Sequence, residues 1–465
     1  MNPGQNSVAA LFAGILDEGS ILVGLQLNGR DPGYCGESYG AGVLLRPRDA
    51  QQLAEICRVA SRHGVSLVPH GGLTGLVERT ASHEGQAVIS FERMNRIHRI
   101  DAAQGIAVVD AGVTLEALQN ALEPMGLTFG VDIPARGSCM IGGMTATNAG
   151  GIRVLRYGMM RPNVLGLEAV LADGRILDMT NPLLKNNAGY DLKHLFIGSE
   201  GTLGMITRVV LRLWPAERFT SCALISCPEA GLITTLFEQA RAQLDSALLA
   251  FEAMWPSYYE LTTSQPGFPQ RPLALGSKLY GVIEVAGRTR EASEERLLSF
   301  LETALETGIL LDAVVAQSEA DRTAIWRARE DSDAINHHFA ESLSYDIGLE
   351  LKDVNAFTER LTETFARDLP QSVPHVFGHV GDGNLHVLIG VTESEHAERA
   401  KYDRIIYETL MPFAGSTISA EHGIGLEKRP YLEQSLPSPV IGVMRELKAA
   451  LDPQNILNPG KVFST

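Results

Sequence analysis

Residues 135–151 read Ala-Arg-Gly-Ser-Cys-Met-Ile-Gly-Gly-Met-Thr-Ala-Thr-Asn-Ala-Gly-Gly. A run with glycine at 137, 142, 143, 150 and 151 and so few large side chains cannot fill a core by itself. It can lie flat against a large planar ligand and offer it backbone N–H and hydroxyl groups. Two further loops share this character. Pro69-His70-Gly71-Gly72-Leu73-Thr74-Gly75-Leu76 follows a strand-like Ser66-Leu67-Val68-Pro69, and Gly198-Ser199-Glu200-Gly201-Thr202-Leu203-Gly204 comes later. The first of these alone reads equally well as a tight turn without a ligand; the other two loops shift the balance. There is no GxGxxG between a strand and a helix with an acid following, and no GxxxxGK[ST], so neither NAD nor a P-loop nucleotide fits.

Around these loops the pattern alternates. Val43–Leu45 reads as a strand, and Asp49 caps a helix over 50–63. Strands follow at 66–69, 87–90 and 106–109, and Thr114 opens a helix to 121. A hairpin spans 164–179 with its turn at Asp173-Gly174, and a strand covers 205–213. Near Pro215 glycine thins out. A helix over 229–243, a strand over 279–286, a helix over 290–306 and a strand over 310–316 predict a second domain, a two-layer α+β sandwich. A strand–turn–strand at 373–392, a helix from about 319 to 340 and a helical tail at 438–451 complete the chain. The expected division is 1–217, with an N-terminal extension to about 38, then 218–420, then 421–465 returning to the first domain.

The net charge of −16 argues against a nucleic-acid partner and against anionic lipid, but permits an acidic substrate held by a few local cations. Five cysteines, an odd number without a CxxC pair, fit a reducing compartment. The first residues lack the basic region of a secretory signal, and no apolar stretch is long enough to span a bilayer. The expectation is a cytoplasmic protein.

The segments PHGGLTGL, GSCMIGGMTATNAGG, RYGMM, GLEAVLADGRIL, NNAGYDLKHLFIGSEGTLGMIT and NILNPGK, in this order, resemble the FAD-binding domain of the vanillyl-alcohol oxidase and p-cresol methylhydroxylase flavoproteins. More closely they resemble the D-2-hydroxyglutarate and D-lactate dehydrogenase branch, from about residue 40 to the C-terminus. The resemblance implies an α+β protein with a two-subdomain FAD-binding domain and a substrate domain built on an antiparallel sheet. It implies non-covalent FAD, with the pyrophosphate on Pro69, His70, Gly71, Gly72, Leu73, Thr74, Gly75 and Leu76 and on Gly137, Ser138, Gly142 and Gly143. Thr147, Asn148 and Gly151 would lie close to the flavin, Ile206 near the adenine half, and Asn458 in a tail returning to it. The implied activity is oxidation of a D-2-hydroxy acid to the 2-keto acid by hydride transfer to flavin N5. Electrons would pass to an electron-transfer flavoprotein or a quinone, and the analogy allows a homodimer. An oxidase using O₂, a D-lactate or sugar-acid enzyme of the same family, and an FAD-binding scaffold without turnover are the alternatives.

The stretch His375-Val-Phe-Gly-His379-Val-Gly-Asp382-Gly383-Asn384-Leu-His386 predicts a hairpin. With Asp382-Gly383 as a two-residue turn, His379 faces His386, and opposed residues share a face about 5 Å apart. Two such imidazoles suit a divalent ion of zinc, manganese, cobalt or iron, zinc first. Glu421, in Ser-Ala-Glu-His-Gly-Ile-Gly, offers the third ligand, and the adjoining glycines argue against a helix there. The family pattern assigns the same three positions. His422 would be the general base and Asn384 a hydrogen-bond partner of the substrate.

The 2-hydroxyglutarate branch has an arginine, a threonine one helical turn later, and a lysine before a Tyr-Asp pair. Counted without gaps, the arginine is Arg329, while Asp333 and Ser344 replace the threonine and the lysine. A distal carboxylate wants a cation and is repelled by an acid, so a smaller, hydroxylated or cationic side chain is favoured over 2-hydroxyglutarate. Arg327 and Lys352 are the alternative cations.

Overall fold

The computed structural model describes residues 3–17 and 19–464, without the side chains of Pro3, Ser332 and Asp333. The chain forms two compact units. One runs to Gly151 and adds Tyr157–Ala216 and the segment from Glu421 onward; the other comprises Ile152–Arg156 and Glu217–Ala420.

In the first unit Asp49 accepts the N–H of Gln52 at 2.8 Å and so caps the helix Ala50–His63, which Gly64 ends at φ 66°. Its apolar stripe, including Leu53, Ile56, Cys57 and Ala60, packs on a four-stranded sheet. The strand order is Ile21–Val23, Val43–Leu45, Ala87–Ser90, Leu67–His70; the first pair is antiparallel and the others are parallel. A second, wholly antiparallel sheet follows the order Ile97–Asp101, Ile106–Asp110, Met205–Arg212, Val164–Val170, Ile176–Met179. The helix Leu115–Leu122, capped by Thr114 through the N–H of Ala117 at 3.2 Å, shares its core.

The reading of 135–151 as a run unable to pack needs correction. Residues Ile141–Thr147 form a short helix whose Ile141 and Met144 are buried in that same core. Glycine is what brings the helix so close: a Cβ on Gly142 would lie 2.4 Å from that of Ala111.

The C-terminal segment extends the parallel sheet. Leu67 N–H donates to Ile456 at 2.7 Å, and Asn458 N–H donates to Leu67 at 2.8 Å. Lys448 secures this arrangement from a buried position, donating to the carbonyls of Thr202 (2.8 Å) and Leu457 (2.9 Å) and pairing with Asp452 at 2.5 Å. Lys448→Met is expected to lower the stability of this unit by about 3–5 kcal/mol, because it leaves a buried carboxylate without its cation. Denaturant unfolding followed by flavin release measures it.

The second unit is built on a seven-stranded antiparallel sheet. Its order is Asp312–Val315, Phe219–Cys227, Leu279–Gly287, Leu248–Met254, Pro374–His379, Asn384–Val391, Glu341–Gly348. Both faces are covered, which makes three layers in place of the expected two. On one face Phe237 of the helix Leu232–Leu244 meets Phe251, and Tyr407 of the helix Arg399–Leu410 meets Tyr345. On the other, the helices Pro256–Thr263 and Glu319–Glu330 pack Tyr258, Tyr259, Ile325 and Trp326 against Met254, Tyr280, Val282 and Phe377. A strand covered on both sides loses its alternation: Leu248–Met254 is buried at all seven positions. The helix expected to reach 340 stops at Glu330, where Asp331 leaves helical geometry (ψ 60°), and a tighter turn spans Ser332–His337.

Candidate active site

In the first unit the loop after the strand Leu67–His70 and the start of the helix Ile141–Thr147 pass close to each other. A Cβ on Gly71 would lie 3.5 Å from Gly143 Cα, and one on Gly72 only 1.8 Å from the Ser138 carbonyl oxygen. Leu73 holds a left-handed φ of 58°. Between the loops lies a cavity of about 380 Å³. Pro69, Gly71, Gly72, Leu73, Thr74, Gly75 and Leu76 line it, together with Gly142, Gly143, Thr147, Ile206 and Asn458.

His70, Gly137, Ser138, Asn148 and Gly151 stand outside this lining. The His70 ring turns into the domain, where Nε2 lies 2.9 Å from the Thr80 carbonyl and burial pushes its pKa down to about 4. Gly137 and Ser138 are exposed, and the Ser138 carbonyl lies against Gly72 of the glycine loop. Asn148 ends the short helix at φ 51° and accepts the Arg161 N–H at 2.9 Å. Gly151 passes against the Asp132 carbonyl, 2.0 Å from where a Cβ would sit.

Glu421 and His422 line the same cavity. Their loop is held by a residue that the glycine pattern did not single out. Glu200 is buried at φ 53°, and its carboxylate accepts the N–H groups of Ile424 (2.7 Å) and Gly425 (3.0 Å). Arg79 donates to the His422 carbonyl and lies 3.8 Å from Glu200, while Asn458 Nδ2 donates to the Glu200 carbonyl at 2.8 Å. The Gly-Ile-Gly sequence follows from this clamp: a Cβ on Gly425 would lie 1.8 Å from the Val77 carbonyl oxygen, and one on Gly423 2.7 Å from Glu200.

In the second unit the face under the helix Glu319–Glu330 carries Glu252, His379, Asn384, His386, Asp346 and Ser344 in one polar band. The hairpin register differs from the expected one. His379 pairs with Asn384, and His386 with Phe377, because the strands are joined by four residues, Val380–Gly383. Buried Val380 and a left-handed Gly383 (φ 81°) close the longer turn. A slip of two residues keeps every side chain on its face, so the two imidazoles remain neighbours on the diagonal, with ring centroids 5.4 Å apart.

The surroundings of this pair are specific. His379 Nδ1 lies 2.8 Å from Glu252 Oε1, an arrangement that leaves Nε2 as the outward nitrogen. Asp346 pairs with His386 across the strands and accepts the N–H of Ala420 (3.1 Å) and the hydroxyl of Ser419 (3.2 Å). The Ser419–Ala420 peptide is therefore fixed to the face that carries His386. Asn384 is buried, and neither amide atom has a hydrogen-bond partner among the described residues.

Of the candidate cations, Arg329 is the buried one. It meets Glu252 Oε2 through Nε (2.8 Å) and Nη2 (2.7 Å) and lies 4.7 Å from the Phe377 ring. Arg327 turns outward to the Gly267 carbonyl (2.8 Å), and Lys352 pairs with Glu350 at the surface. Ser344 is half-buried opposite Leu388, and the Asp333 side chain lies outside the described residues. Burial alone would raise the Glu252 carboxyl, but His379 and Arg329 hold it below the usual range.

Residues 217–462, over half of the chain, match the C-terminal domain of FAD linked oxidases, and residues 41–180 match an FAD binding domain. The chain belongs to the FAD-linked oxidases. The mitochondrial D-2-hydroxyglutarate dehydrogenase of Bos taurus is 38% identical over 91% of this chain and 77% of its own length. The D-2-hydroxyglutarate dehydrogenase of Xanthomonas citri pv. viticola is also 38% identical, over 91% and 89%. The structure of p-cresol methylhydroxylase aligns over 100% of this chain and 98% of that one, with a TM-score of 0.74 at 15% identity, a likeness of fold.

This FAD-linked oxidase has a cavity lined by glycines, among them Gly72 and Gly142, where a Cβ would obstruct. Gly72→Ala is expected to purify with less than about a tenth of the wild-type flavin, since the new methyl meets a backbone carbonyl and not a movable side chain. The ratio of flavin to protein absorbance measures it.

Proposed function

We propose that this protein oxidises a D-2-hydroxy acid to the 2-keto acid with the help of a divalent cation held by His379, His386 and Glu421. The histidine pair, with ring centroids 5.4 Å apart, carries this reading. Two imidazoles and a carboxylate form a donor set suited to zinc, with manganese, cobalt or iron as substitutes, and they leave positions open. FAD bound in the cavity supplies the two-electron acceptor, and the cation supplies a Lewis acid for the C2 hydroxyl.

His422 takes the hydroxyl proton. Its carbonyl accepts from Arg79, and Glu200 holds the N–H groups of Ile424 and Gly425, so the main chain that carries the imidazole is fixed. Asn384, whose buried amide has no hydrogen-bond partner among the described residues, hydrogen-bonds the substrate. Arg329 brings a guanidinium already neutralised by Glu252, and Ser344 brings no charge. D-2-hydroxyglutarate, the acid named for the relatives, is then a weaker substrate than acids with smaller or hydroxylated side chains. An electron-transfer flavoprotein or a quinone takes the electrons. The five buried cysteines, none in a disulfide, fit a cytoplasmic setting.

Dye-coupled turnover before chelation, after chelation and after added zinc tests the cation. Activity that vanishes with the metal and returns with it is expected; full activity in metal-free protein contradicts the reading.

A further inference from the structure

Glu252 stands on a strand that no motif marked, yet it holds two candidate functional groups at once. One carboxylate oxygen faces His379 Nδ1 at 2.8 Å; the other accepts a hydrogen bond from Arg329 Nε at 2.8 Å and lies 2.7 Å from Nη2 as an ion pair. All three side chains are buried, with Glu252 and Arg329 at 1% and 5% side-chain exposure, so water cannot substitute for any of these contacts. A buried carboxylate facing two donors has no spare geometry. Each oxygen is committed, and a change at one partner is transmitted to the other.

We propose that Glu252 is a positioning residue that couples the cation to the substrate-facing arginine. It fixes His379 in the Nδ1–H tautomer, turning Nε2 outward as the donor atom, and it sets the place of the Arg329 guanidinium with the same group. The inference rests on the reading of His379 and His386 as cation ligands. It adds that Arg329, which ligates nothing, influences how tightly the cation is held.

The test is zinc affinity of the FAD-loaded full chain, measured by competition with a chromophoric chelator. The flavin spectrum and thermal melting report on folding. Glu252→Gln keeps the shape but sets an amide NH₂ against one of two donors. It is expected to weaken zinc binding about 10–100-fold with the flavin spectrum unchanged. Arg329→Met should shift zinc affinity as well, and Glu252→Gln/Arg329→Met should bind zinc no more weakly than Glu252→Gln alone, because the effect of Arg329 passes through Glu252. Should Glu252→Gln fail to fold with Arg329 left uncompensated, the double variant removes both charges and carries the test, with the same 10–100-fold loss expected.

Zinc affinity within about twofold of wild type in Glu252→Gln, or in the double variant when that carries the test, overturns the proposal, as do additive effects of the two single changes. His386→Ala separates the two levels. If it loses zinc while the Glu252 variants keep it, the coupling alone is wrong. If it too binds zinc normally, the cation site is wrong and the coupling falls with it.

Discussion

His422→Ala is expected to lower kcat by about 10²–10⁴-fold while leaving the flavin and metal content of the protein unchanged. The alanine removes an imidazole at the cavity wall and nothing from the clamp behind it, because Arg79 and Glu200 hold main-chain atoms of the 422–425 segment. The backbone therefore keeps its course, and the loss falls on proton transfer. A general base whose removal spares binding lowers kcat and kcat/KM together. Steady-state kinetics on the variant, with flavin and metal quantified on the same sample, decides the matter. Normal turnover would remove His422 from the mechanism.

The second large effect is expected at His386. His386→Ala takes one of two adjacent imidazoles from the donor set and leaves the Glu252–His379 contact in place. With two donors left, bound metal should fall from about one per chain to near zero, and turnover should fall with it. Elemental analysis of the purified variant measures the first and a dye-coupled assay the second. The flavin should remain, since the glycine loops that line its cavity belong to the other unit. Metal retained at wild-type level would contradict the cation reading.

The parts of this architecture that could be read in the sequence are those where a local rule acts alone. Asp49 and Thr114 cap helices through their own side chains, and glycines at 72 and 142 mark backbone approaches that no larger residue permits. The face shared by His379 and His386 was legible for a similar reason: strand parity survives an error of two residues, although the pairing itself does not. What escaped is what depends on distant packing. Leu248–Met254 is buried on both faces, so it shows no alternation and hides Glu252 inside an apolar run. Glu200 reads as one more residue of a glycine loop until the segment after His422 returns to its carboxylate from more than two hundred residues away. The helix Ile141–Thr147 violates helix propensity with adjacent glycines, and tertiary contact with Ala111 outweighs that cost.

The arrangement of Arg329 also shows why gapless counting could name a residue without giving its electrostatics. The count selected Arg329 over Arg327, and Arg329 is the buried one of the two. Its charge, however, is met by a carboxylate on a strand 77 positions away in sequence. A buried ion pair of this kind contributes orientation more than attraction.

The central claim is that this FAD-linked oxidase takes a hydride from a D-2-hydroxy acid. The most direct measurement is anaerobic mixing of the FAD- and metal-replete protein with D- and L-enantiomers of 2-hydroxyglutarate, lactate, malate and sugar acids while the visible flavin band is followed. Rapid bleaching by one or more D-acids and none by their L-enantiomers is the expected result, with the fastest acid identifying the side chain that the substrate site accepts. A flavin that stays oxidised in the presence of every D-2-hydroxy acid would contradict the account.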